Sequence, residues 1–503
     1  MVHEEVQGSA QAAAVPPVAI AAVDLGATSA RVMLGVVSAA GIELTEARRF
    51  AHELRDQDGH LTWDIDELWA QIQGGLREAA ALARERGLEL ASIGIDSWAV
   101  DYVLVGPDGS RIGNAISYRD SRTDGVADEV AERVSRERQF EITGIAQQPF
   151  NTIYQFAADE RLRDLPEGSH ALMLPDYFAF LLTGQRRTEV TNASTTGLFD
   201  VRGRTFSPEL LAAVGVDLAI FAPLIEPGER IGEVREEIAA ELGLDGVAVT
   251  AVGSHDTASA VLAVPSATSV ESTTDGPIAY ISSGTWSLVG LELREPIPTE
   301  AARRAGFTNE GGVGGTTRFL QNVMGLWLVS ECMRQWSEEG RQTELEELLE
   351  AAAAEPGGRF VIDATDSQFL PPGAMADRVA RAARPGPAAH GEHDVPRTSA
   401  EIVRCLLDSL AIAYRDAVTT ACELAGTGTP ARVHVVGGGS QGALLNQLTA
   451  DALGVEVVAG PVEATALGNI AVQAAALGAI EDSAEAMRAR IRAGAELSRF
   501  APS

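Results

Sequence analysis

The sequence predicts an α/β protein of two lobes that have a duplicated core and enclose a cleft between them. A chain of 503 residues is too long for a single hydrophobic core, so two domains are expected. Two segments, 18–37 and 278–291, each consist of two strand-like apolar runs joined by a turn of small residues. Because one copy lies in each half of the chain, the pair indicates a duplicated α/β unit.

The composition limits the kind of partner. The chain has 39 Lys and Arg against 71 Asp and Glu, which gives a net charge of −32. Nucleic acids and anionic membranes bind positively charged surfaces, so we expect neither as a partner. A small anionic ligand needs only a local group of N–H donors. The acidic surface and the absence of a long exposed apolar stripe favour a monomer.

The three cysteines, Cys332, Cys405 and Cys422, are widely spaced and form no CxxC pair. We therefore expect neither a disulfide framework nor a zinc site. The N-terminus has acidic residues where a signal peptide would have positive ones, and no apolar stretch is long enough to span a membrane. These features predict a cytoplasmic enzyme.

We divide the chain into a disordered N-terminal lead at 1–17, an N-terminal lobe at 18–248, a C-terminal lobe at 249–480 and a tail at 481–503. In the first lobe, Asp64 can cap a helix that Gly87 ends. In the second, 400–426 has the periodicity of a long amphipathic helix. We expect 322–327 to open or interrupt another helix.

The turn in the first repeated segment predicts a site for phosphate. It has no GxGxxG or GxxxxGK pattern, and no helix is expected to follow it. A tight turn there exposes consecutive backbone N–H groups, and Thr28, Ser29 and Arg31 add donors. The alternative is an ordinary hairpin turn with Asp24 facing the core. The second copy has a Gly-Thr pair, Gly284 and Thr285, at the same place.

A strand-like segment at 92–105 is interrupted by a cluster of acidic and aromatic residues. Asp96, Trp98, Asp101 and Tyr102 lie in this interruption. Aromatic faces beside carboxylates are typical of a sugar site, because C–H faces stack on rings and hydroxyl groups need acceptors. From this segment alone, an equally good interpretation is that Trp98 lies in the core and the acidic side chains are solvated.

The segment AVGSHDTASA at 251–260 predicts a catalytic base. An apolar run ends at Gly253, and the polar residues His255, Asp256 and Thr257 follow. A strand that ends in this way can hold the Asp256 carboxylate at the mouth of a cleft. Further on, a strand at 433–436 precedes three glycines at 437–439, where the backbone can approach a flat or anionic group closely.

Together these features predict transfer of a γ-phosphoryl group to a hydroxyl group. Such a reaction needs alignment, a metal that neutralises the phosphate oxygens and a carboxylate that accepts the hydroxyl proton. Two turns rich in N–H groups and a glycine-rich loop suit a nucleotide. Trp98, Asp101 and His255 suit a polyhydroxylated substrate, and Asp256 suits the base.

On several motifs the chain resembles the FGGY family of carbohydrate kinases, from residue 18 to about residue 478. The motifs are DLGATSAR at 24–31, GIDSWAVDY at 94–102, YRDSRT at 118–123, PFNT at 149–152, HDTASAV at 255–261, SSGTWSL at 282–288, NEGGVGGTTRFLQNVMGLW at 309–327 and GGGSQGALLNQLTADALG at 437–454. The resemblance implies ribonuclease-H-like lobes of the actin and hexokinase type. It also implies phosphate transfer from MgATP to a ketose, with O1 of L-rhamnulose expected first.

The resemblance also implies roles for individual residues. Asp256 matches the catalytic base, and Asp24 matches the acid that helps to hold Mg²⁺, through water. The sugar-binding set is Trp98, Ala99, Asp101, His255, Thr257 and Asn322. The ATP-binding set is Ala27, Thr28, Ser29, Ala30 and Arg31 in the first phosphate loop, Thr285 in the second, and Gly438 and Gly439 in the adenosine loop.

Two departures from the family pattern bear on specificity. Ala99 stands where the family usually has Gly, next to the sugar, and Ser330 stands where it usually has a Gln near the nucleotide. The added methyl group leaves open a kinase for another ketose, such as L-fuculose or D-xylulose. A non-catalytic sugar- or nucleotide-binding regulator is the alternative of another class.

Overall fold

The computed structural model describes residues 16–267, 276–341, 344–386, 388 and 394–503. All but the last two residues of the predicted N-terminal lead therefore lie outside the described residues. Pro16 and Pro17 are exposed, and the first strand that the structure describes begins at Val18.

Within the described residues, the N-terminal lobe is built on a mixed sheet of six strands. In spatial order the strands are Arg230–Glu233, Ala248–Thr250, Leu90–Ser97, Val18–Leu25, Ser29–Ser38 and Gly41–Ala51. The first strand pairs antiparallel with the second strand of its hairpin and parallel with Leu90–Ser97. In that parallel pair Asp24 lies directly opposite Asp96, so two carboxylates leave the same end of the sheet.

The C-terminal lobe repeats this order on a sheet of seven described strands. In spatial order they are Thr308–Gly311, Thr317–Met324, Trp286–Leu293, Ile278–Ser283, Arg432–Val436, Glu456–Ala459 and Ser498–Phe500. In both sheets an antiparallel hairpin lies beside two parallel strands, with one further antiparallel strand on the hairpin side. The predicted duplication of an α/β core is confirmed.

Helices cover both sheets. The α-helices are Ile65–Glu85, Val126–Ala131, Arg136–Thr143, Thr152–Ala158, Leu174–Thr183, Val190–Ala193, Pro208–Val214, Glu236–Leu242, Asp256–Leu262, Glu300–Arg304, Trp327–Glu338, Leu345–Ala354, Met375–Ala382, Ser399–Ala425, Ala443–Leu453, Ala464–Ala476 and Ala484–Gly494. Short 3₁₀ turns are Ser121–Thr123, Glu160–Asp164, Ser194–Thr196, Leu218–Ile220, Val313–Gly315, Ser367–Phe369 and Gly438–Gln441. Short strands are Leu54–Gln57, His60–Trp63, Tyr102–Val105, Ala115–Ile116, His170–Met173, Thr188–Glu189, Phe199–Asp200, Thr205–Phe206, Leu224–Ile225, Phe360–Val361 and Arg384–Pro385.

The two lobes are joined through a pair of packed helices, Asp256–Leu262 and Ala464–Ala476. They pack so closely that a Cβ on Gly468 would overlap the carbonyl oxygen of Ser259. The second helix also bonds to the N-terminal sheet, since Asn469 Nδ2 donates to Asp96 Oδ2 at 2.5 Å. These contacts fix the C-terminal half against the strand ends that carry the paired carboxylates.

The structure changes the predicted limits of the lobes. The strand Ala248–Thr250 belongs to the N-terminal sheet, so this sheet crosses the predicted boundary at 248. The predicted tail contains the helix Ala484–Gly494 and the strand Ser498–Phe500, which extends the C-terminal sheet by pairing with Glu456–Ala459.

One helix prediction was wrong. Asn322 lies on the strand Thr317–Met324, and the helix begins only at Trp327. The predicted helices at 64–86 and 400–426 are confirmed as Ile65–Glu85 and Ser399–Ala425. Among the described residues, no helix has the length and apolar character needed to cross a membrane.

Candidate active site

The site forms around the loop that joins the strand Ala248–Thr250 to the helix Asp256–Leu262. Glu189, from the N-terminal lobe, accepts hydrogen bonds from the backbone N–H of Ser254 at 3.1 Å and from its hydroxyl group at 2.6 Å. The backbone N–H of His255 donates to Thr191 Oγ1 at 3.3 Å. Ser97 N–H donates to Ser254 O at 2.9 Å. The loop is therefore held by several bonds from the first lobe.

Asp256 is the first residue of its helix, and its carboxylate is 30% exposed. Thr257 Oγ1 donates to its Oδ1 at 2.9 Å, and His255 Nε2 lies 3.4 Å from the same oxygen. Burial raises the pKa of Asp256 to about 7, and the charge of Asp24 adds to the rise. The bonds from Thr257 and the charge of Arg318 oppose it. A carboxyl group with this pKa is suited to accept a proton near neutral pH.

Asp24 and Asp96 form a second acidic group on the N-terminal sheet. Asp24 Oδ2 accepts from Arg31 Nε at 2.9 Å. Asp96 is fully buried, and its Oδ1 has no hydrogen-bond partner among the described residues. Burial raises the pKa of Asp96 well above its usual value, the charges of Asp24 and Asp256 add to the rise, and the bond from Asn469 opposes it.

These two carboxylates fit a magnesium ion. Within the part of the chain that the structure describes, no group of three or more His, Cys, Asp or Glu side chains could hold a metal by itself. Mg²⁺ usually keeps several waters and binds one or two carboxylates together with substrate phosphates. An acidic pair with an unpartnered oxygen on Asp96 matches that preference, and Asp24 is the residue predicted for this role.

The first predicted phosphate turn lies at the end of the same strand. Gly26 N–H donates to Ser29 O at 3.1 Å and closes the hairpin, and the backbone N–H groups of Ala27 and Thr28 form no hydrogen bond among the described residues. Thr28 and Ser29 are exposed. Ala27 and Thr28 therefore offer free backbone donors at this turn, and their binding of a phosphate stays a prediction.

Two residues of the first phosphate set are engaged differently from the prediction. Ala30 is buried, and its methyl group packs into the N-terminal core. Arg31 bonds to Asp24 and also lies 2.6 Å from Glu463 of the C-terminal lobe. Its guanidinium group thus joins the lobes behind the turn.

The second turn and the glycine loop lie side by side on the C-terminal sheet. Thr285 is exposed, and its carbonyl oxygen accepts from the backbone N–H groups of Gly325 and Trp327 at 3.2 and 3.1 Å. A Cβ on Gly439 would overlap Oγ of Ser283, whereas one on Gly438 would meet nothing within 4 Å. Gly439 therefore allows close packing of the loop, and Gly438 borders open space where a ligand can lie.

Two tryptophans and Asp101 form an aromatic wall. Asp101 Oδ2 accepts from Trp63 Nε1 at 2.6 Å and from Trp98 Nε1 at 2.9 Å, and the two ring centroids are 4.3 Å apart. Gln155 Nε2 donates to the other oxygen of Asp101 at 3.3 Å. Burial raises the pKa of Asp101 to about 6, and the bonds from Trp98, Trp63 and Gln155 oppose this rise. Asp101 therefore orients the wall.

Other predicted sugar residues are distributed around this wall. Ala99 is half-buried, and the next residue, Val100, has a left-handed backbone with φ of +71°. The Thr257 hydroxyl group is buried and bonds to the base. Asn322 is exposed on a strand of the C-terminal sheet. Direct contacts of these residues with a sugar stay predictions.

Several residues of the site were not predicted from the sequence. Tyr118 packs against Trp63 and Phe150 with centroid distances of 6.4 and 5.8 Å, and its hydroxyl group accepts from Arg119 Nε at 3.0 Å. His52 Nε2 donates to the carbonyl oxygen of Gly26 at 2.8 Å. The YRDSRT motif was a signal for Tyr118, but nothing local indicated His52.

The His52 ring also stacks on Trp98 at a centroid distance of 5.4 Å. It thereby connects the first phosphate turn to the aromatic wall. Three further residues contact the loop at 251–255 that precedes Asp256, which we call the base loop, and were not predicted either: Glu189, Glu310 and Arg318.

The Asp256 carboxylate, the two hairpin turns and the aromatic wall lie on two duplicated α/β lobes, an arrangement that suits transfer of a phosphoryl group to a sugar. Residues 19–263 match the N-terminal domain, and residues 279–477 the C-terminal domain, of the FGGY family of carbohydrate kinases. The chain therefore belongs to the FGGY family of carbohydrate kinases.

Two curated relatives are similar over nearly the whole chain. A rhamnulokinase from Pectobacterium carotovorum subsp. carotovorum (strain PC1) is 44% identical over 488 residues, which are 96% of this chain and 93% of the relative. A rhamnulokinase from Bacillus subtilis (strain 168) is 41% identical over 466 residues, 92% of each chain. This similarity extends to both lobes.

Solved structures share the fold at lower sequence identity. A xylulose kinase from Lactobacillus acidophilus has a TM-score of 0.77 at 17% identity, with 96% of this chain and 94% of that chain covered. A glycerol kinase from Plasmodium falciparum has a TM-score of 0.76 at 15% identity with the same coverage. These likenesses confirm the predicted two-lobed α/β kinase fold.

Proposed function

We propose that this protein transfers the γ-phosphoryl group of ATP to O1 of L-rhamnulose and releases L-rhamnulose 1-phosphate and ADP. The observation that carries the proposal is the Asp256 carboxylate, whose pKa is raised to about 7 at the start of a helix, directly after the loop that bonds to Ser97 next to Trp98. L-rhamnulose is the first choice because the relatives named rhamnulokinase are 41–44% identical. We expect a cytoplasmic monomer.

The sugar lies against the aromatic wall in this proposal. Trp98 presents a ring face for the C–H face of the sugar, and Ala99 limits the space beside it. His255 and Asn322 offer polar groups to the hydroxyl groups. Asp101 and Thr257 act mainly by holding the tryptophans and the base, as their hydrogen bonds indicate.

The chemical step is a direct displacement at phosphorus. As O1 forms a bond to the γ-phosphorus atom, the bond from this phosphorus to the β,γ-bridging oxygen breaks, and ADP leaves with the electron pair. Asp256 accepts the proton from the O1 hydroxyl group during the attack. Little other covalent chemistry is required, so alignment in the cleft supplies much of the rate.

The nucleotide is bound by the turns of both lobes. The first loop contributes Ala27, Thr28, Ser29, Ala30 and Arg31, the second contributes Thr285, and Gly438 and Gly439 border the adenosine. Asp24 and Asp96 would hold magnesium, which neutralises the phosphate oxygens when it is bound. Arg31 acts through its ion pair with Asp24, and Ala30 through its main chain.

The test is a coupled assay of ADP release with L-rhamnulose, L-fuculose, D-xylulose and glycerol. We expect the highest kcat/KM on L-rhamnulose. Asp256→Asn should lower kcat by about 10²- to 10⁴-fold, because an amide of the same shape cannot accept the proton. Its KM values for sugar and MgATP should stay near those of the wild type.

A matched control is Asp245→Asn, which removes an exposed carboxylate from the turn before the strand Ala248–Thr250, at the opposite end of that strand from the base loop. This variant should keep full activity. If kcat/KM were higher on another ketose than on L-rhamnulose, that ketose would be the substrate. Full activity of Asp256→Asn would refute the base, and no turnover on any of the four substrates would favour a binding protein without catalysis.

A further inference from the structure

Two buried charged residues beside the base loop have no part in the function proposed so far. Glu310 and Arg318 belong to the conspicuous segment 309–327 and lie directly opposite each other on antiparallel strands. The Arg318 side chain is 0% exposed and the Glu310 side chain 11%, and Nη1 of the arginine is 3.0 Å from Oε2 of the glutamate. A buried ion pair is costly unless its geometry is good, so its contacts deserve a functional explanation.

Arg318 uses its remaining donors on the base loop and on its own sheet. Its Nε donates to the carbonyl oxygen of Gly311 at 2.9 Å, and its Nη2 donates to His255 Nδ1 at 2.9 Å. A guanidinium group has only N–H donors. Nδ1 of His255 also lies 3.4 Å from Glu310 Oε2, which is beyond ordinary hydrogen-bond distance. In the shorter contact with Arg318, Nδ1 is the acceptor, so the single proton of the neutral ring lies on Nε2.

The protonated Nε2 of His255 faces the catalytic carboxylate. It lies 3.4 Å from Asp256 Oδ1. Burial lowers the pKa of His255 well below its usual value, and the charge of Arg318 lowers it further, so the ring is neutral. The backbone of His255 is fixed separately by Thr191 and by its bridge to Ser97. What Arg318 determines is thus the tautomer and the ring orientation.

We propose that Glu310 and Arg318 are positioning residues for phosphoryl transfer: held by Glu310, Arg318 fixes His255 as the Nε2–H tautomer. His255 then acts only as a donor, toward Asp256 and the sugar. Its Nε2 has no lone pair with which to compete for the O1 proton, so Asp256 is the single base. This inference rests on the proposed function of the site.

The opposite tautomer would harm the site in two ways. A lone pair on Nε2 would face the carboxylate oxygen of Asp256 and repel it. The Nδ1 proton would point at the guanidinium group of Arg318, which is buried and would lose its acceptor. The ion pair with Glu310 keeps Arg318 in place, which makes the arrangement a chain from Glu310 through Arg318 and His255 to the base.

The first test is direct observation of the tautomer by NMR. The protein has eight histidines, so ¹⁵N-histidine labelling gives a spectrum in which His255→Gln identifies one ring by its missing signals. We expect a neutral ring with its proton on Nε2 in the wild type without substrate. A proton on Nδ1, or a doubly protonated ring at neutral pH, would overturn the proposal whether or not the protein phosphorylates L-rhamnulose.

The second test compares Arg318→Met with Glu310→Gln. Arg318→Met should let the His255 proton redistribute between the two nitrogens and lower kcat by about 10²-fold, as misplaced catalytic groups do, while the KM for MgATP is unchanged. Glu310→Gln keeps the shape of the side chain and should show the same changes to a smaller extent. Glu310→Gln is the milder change, so it can still test the proposal if Arg318→Met fails to fold.

The matched control is Arg488→Met. Arg488 is another buried arginine of the same lobe and pairs with Glu292. It donates to the carbonyl oxygens of Val261 and Leu262 at the far end of the helix Asp256–Leu262, and among the described residues it has no hydrogen bond to residues 251–257. The Arg488→Met variant should be less stable than the wild type but should keep the wild-type His255 NMR signals and the wild-type kcat. If the two variants at 318 and 310 behaved like this control, with a wild-type tautomer and a wild-type kcat, the pair would be purely structural and the proposal wrong.

Discussion

Removal of the Thr257 hydroxyl group is expected to move the acid side of the pH–rate profile to higher pH. This hydroxyl group donates to Asp256 Oδ1 at 2.9 Å and so favours the ionised carboxylate. The pKa of Asp256 is raised from 3.8 to about 7 by burial and by Asp24, and the bonds from Thr257 limit the rise. Because the base must be ionised to accept a proton, activity falls as the pH drops below this pKa.

The size of the shift follows from the strength of one hydrogen bond. A hydrogen bond to a charged group contributes about 1.5–3 kcal/mol, and one pKa unit corresponds to about 1.4 kcal/mol. The backbone N–H of the same residue still stabilises the carboxylate in Thr257→Val. We therefore expect the lower end, a rise of about one unit, which reduces the ionised fraction at pH 7 about fivefold.

The assay is kcat/KM for the sugar between about pH 5.5 and about pH 9 at one fixed, saturating concentration of MgATP. Thr257→Ser is the matched control, since it keeps the hydroxyl group and should keep the wild-type profile. Bound magnesium acts on all three proteins alike, so the difference between them is the readout. The reasoning would be refuted if the acid side of the pH–rate profile of Thr257→Val lay at the same pH as that of the wild type, or at a lower pH.

Four further substitutions probe other parts of the structure. Gly439→Ala places a methyl group on Ser283 and should lower the free energy of unfolding, measured in urea, by about 1–3 kcal/mol. The methyl group of Gly438→Ala meets nothing within 4 Å. This variant should keep the wild-type free energy of unfolding and raise only the KM for MgATP. Arg488→Met leaves a buried glutamate unpaired and should cost about 3–5 kcal/mol in the same titration, and an unchanged transition would contradict the ion pair. Asp101→Asn weakens the bonds to two indole N–H groups and should raise the KM for the sugar but not that for MgATP in initial-rate assays.

The features predicted from the sequence are those that neighbouring residues determine. The helix Ile65–Glu85 was found because its apolar residues repeat with the helical period and Asp64 caps it, with Oδ1 accepting from Glu67 N at 3.2 Å. The two hairpins were found because small residues separate apolar runs of strand length. Asp256 was recognised because its strand, turn and helix are consecutive in the chain.

Residues 322–324, the end of the strand Thr317–Met324, were predicted to open or interrupt a helix because the apolar residues of this strand do not alternate. Its apolar residues at 319, 320, 323 and 324 are spaced as on one side of a helix, and all four are buried. A strand inside a sheet that is covered on both sides does not show the alternation that identifies an exposed strand. Asn322 therefore lies on a strand and not at the start of a helix.

The residues that hold the base were missed because their partners are remote in the sequence. Glu189 lies 65 residues before Ser254, and Arg318 lies 63 residues after His255. A single sequence gives no signal for such a pair, since each residue alone looks like an ordinary surface charge. Their function follows only from burial and contact in the folded chain.

These remote bonds also show which parts of the fold hold the base loop in place. The N-terminal lobe holds the loop through Glu189, Thr191 and Ser97, and this same lobe carries Trp98 and the rest of the aromatic wall. The C-terminal sheet holds the same loop through Arg318, whose Nη2 donates to His255 Nδ1, and it also carries Thr285. The base loop is therefore bonded to both sheets, so the position of Asp256 depends on contacts from both halves of the chain.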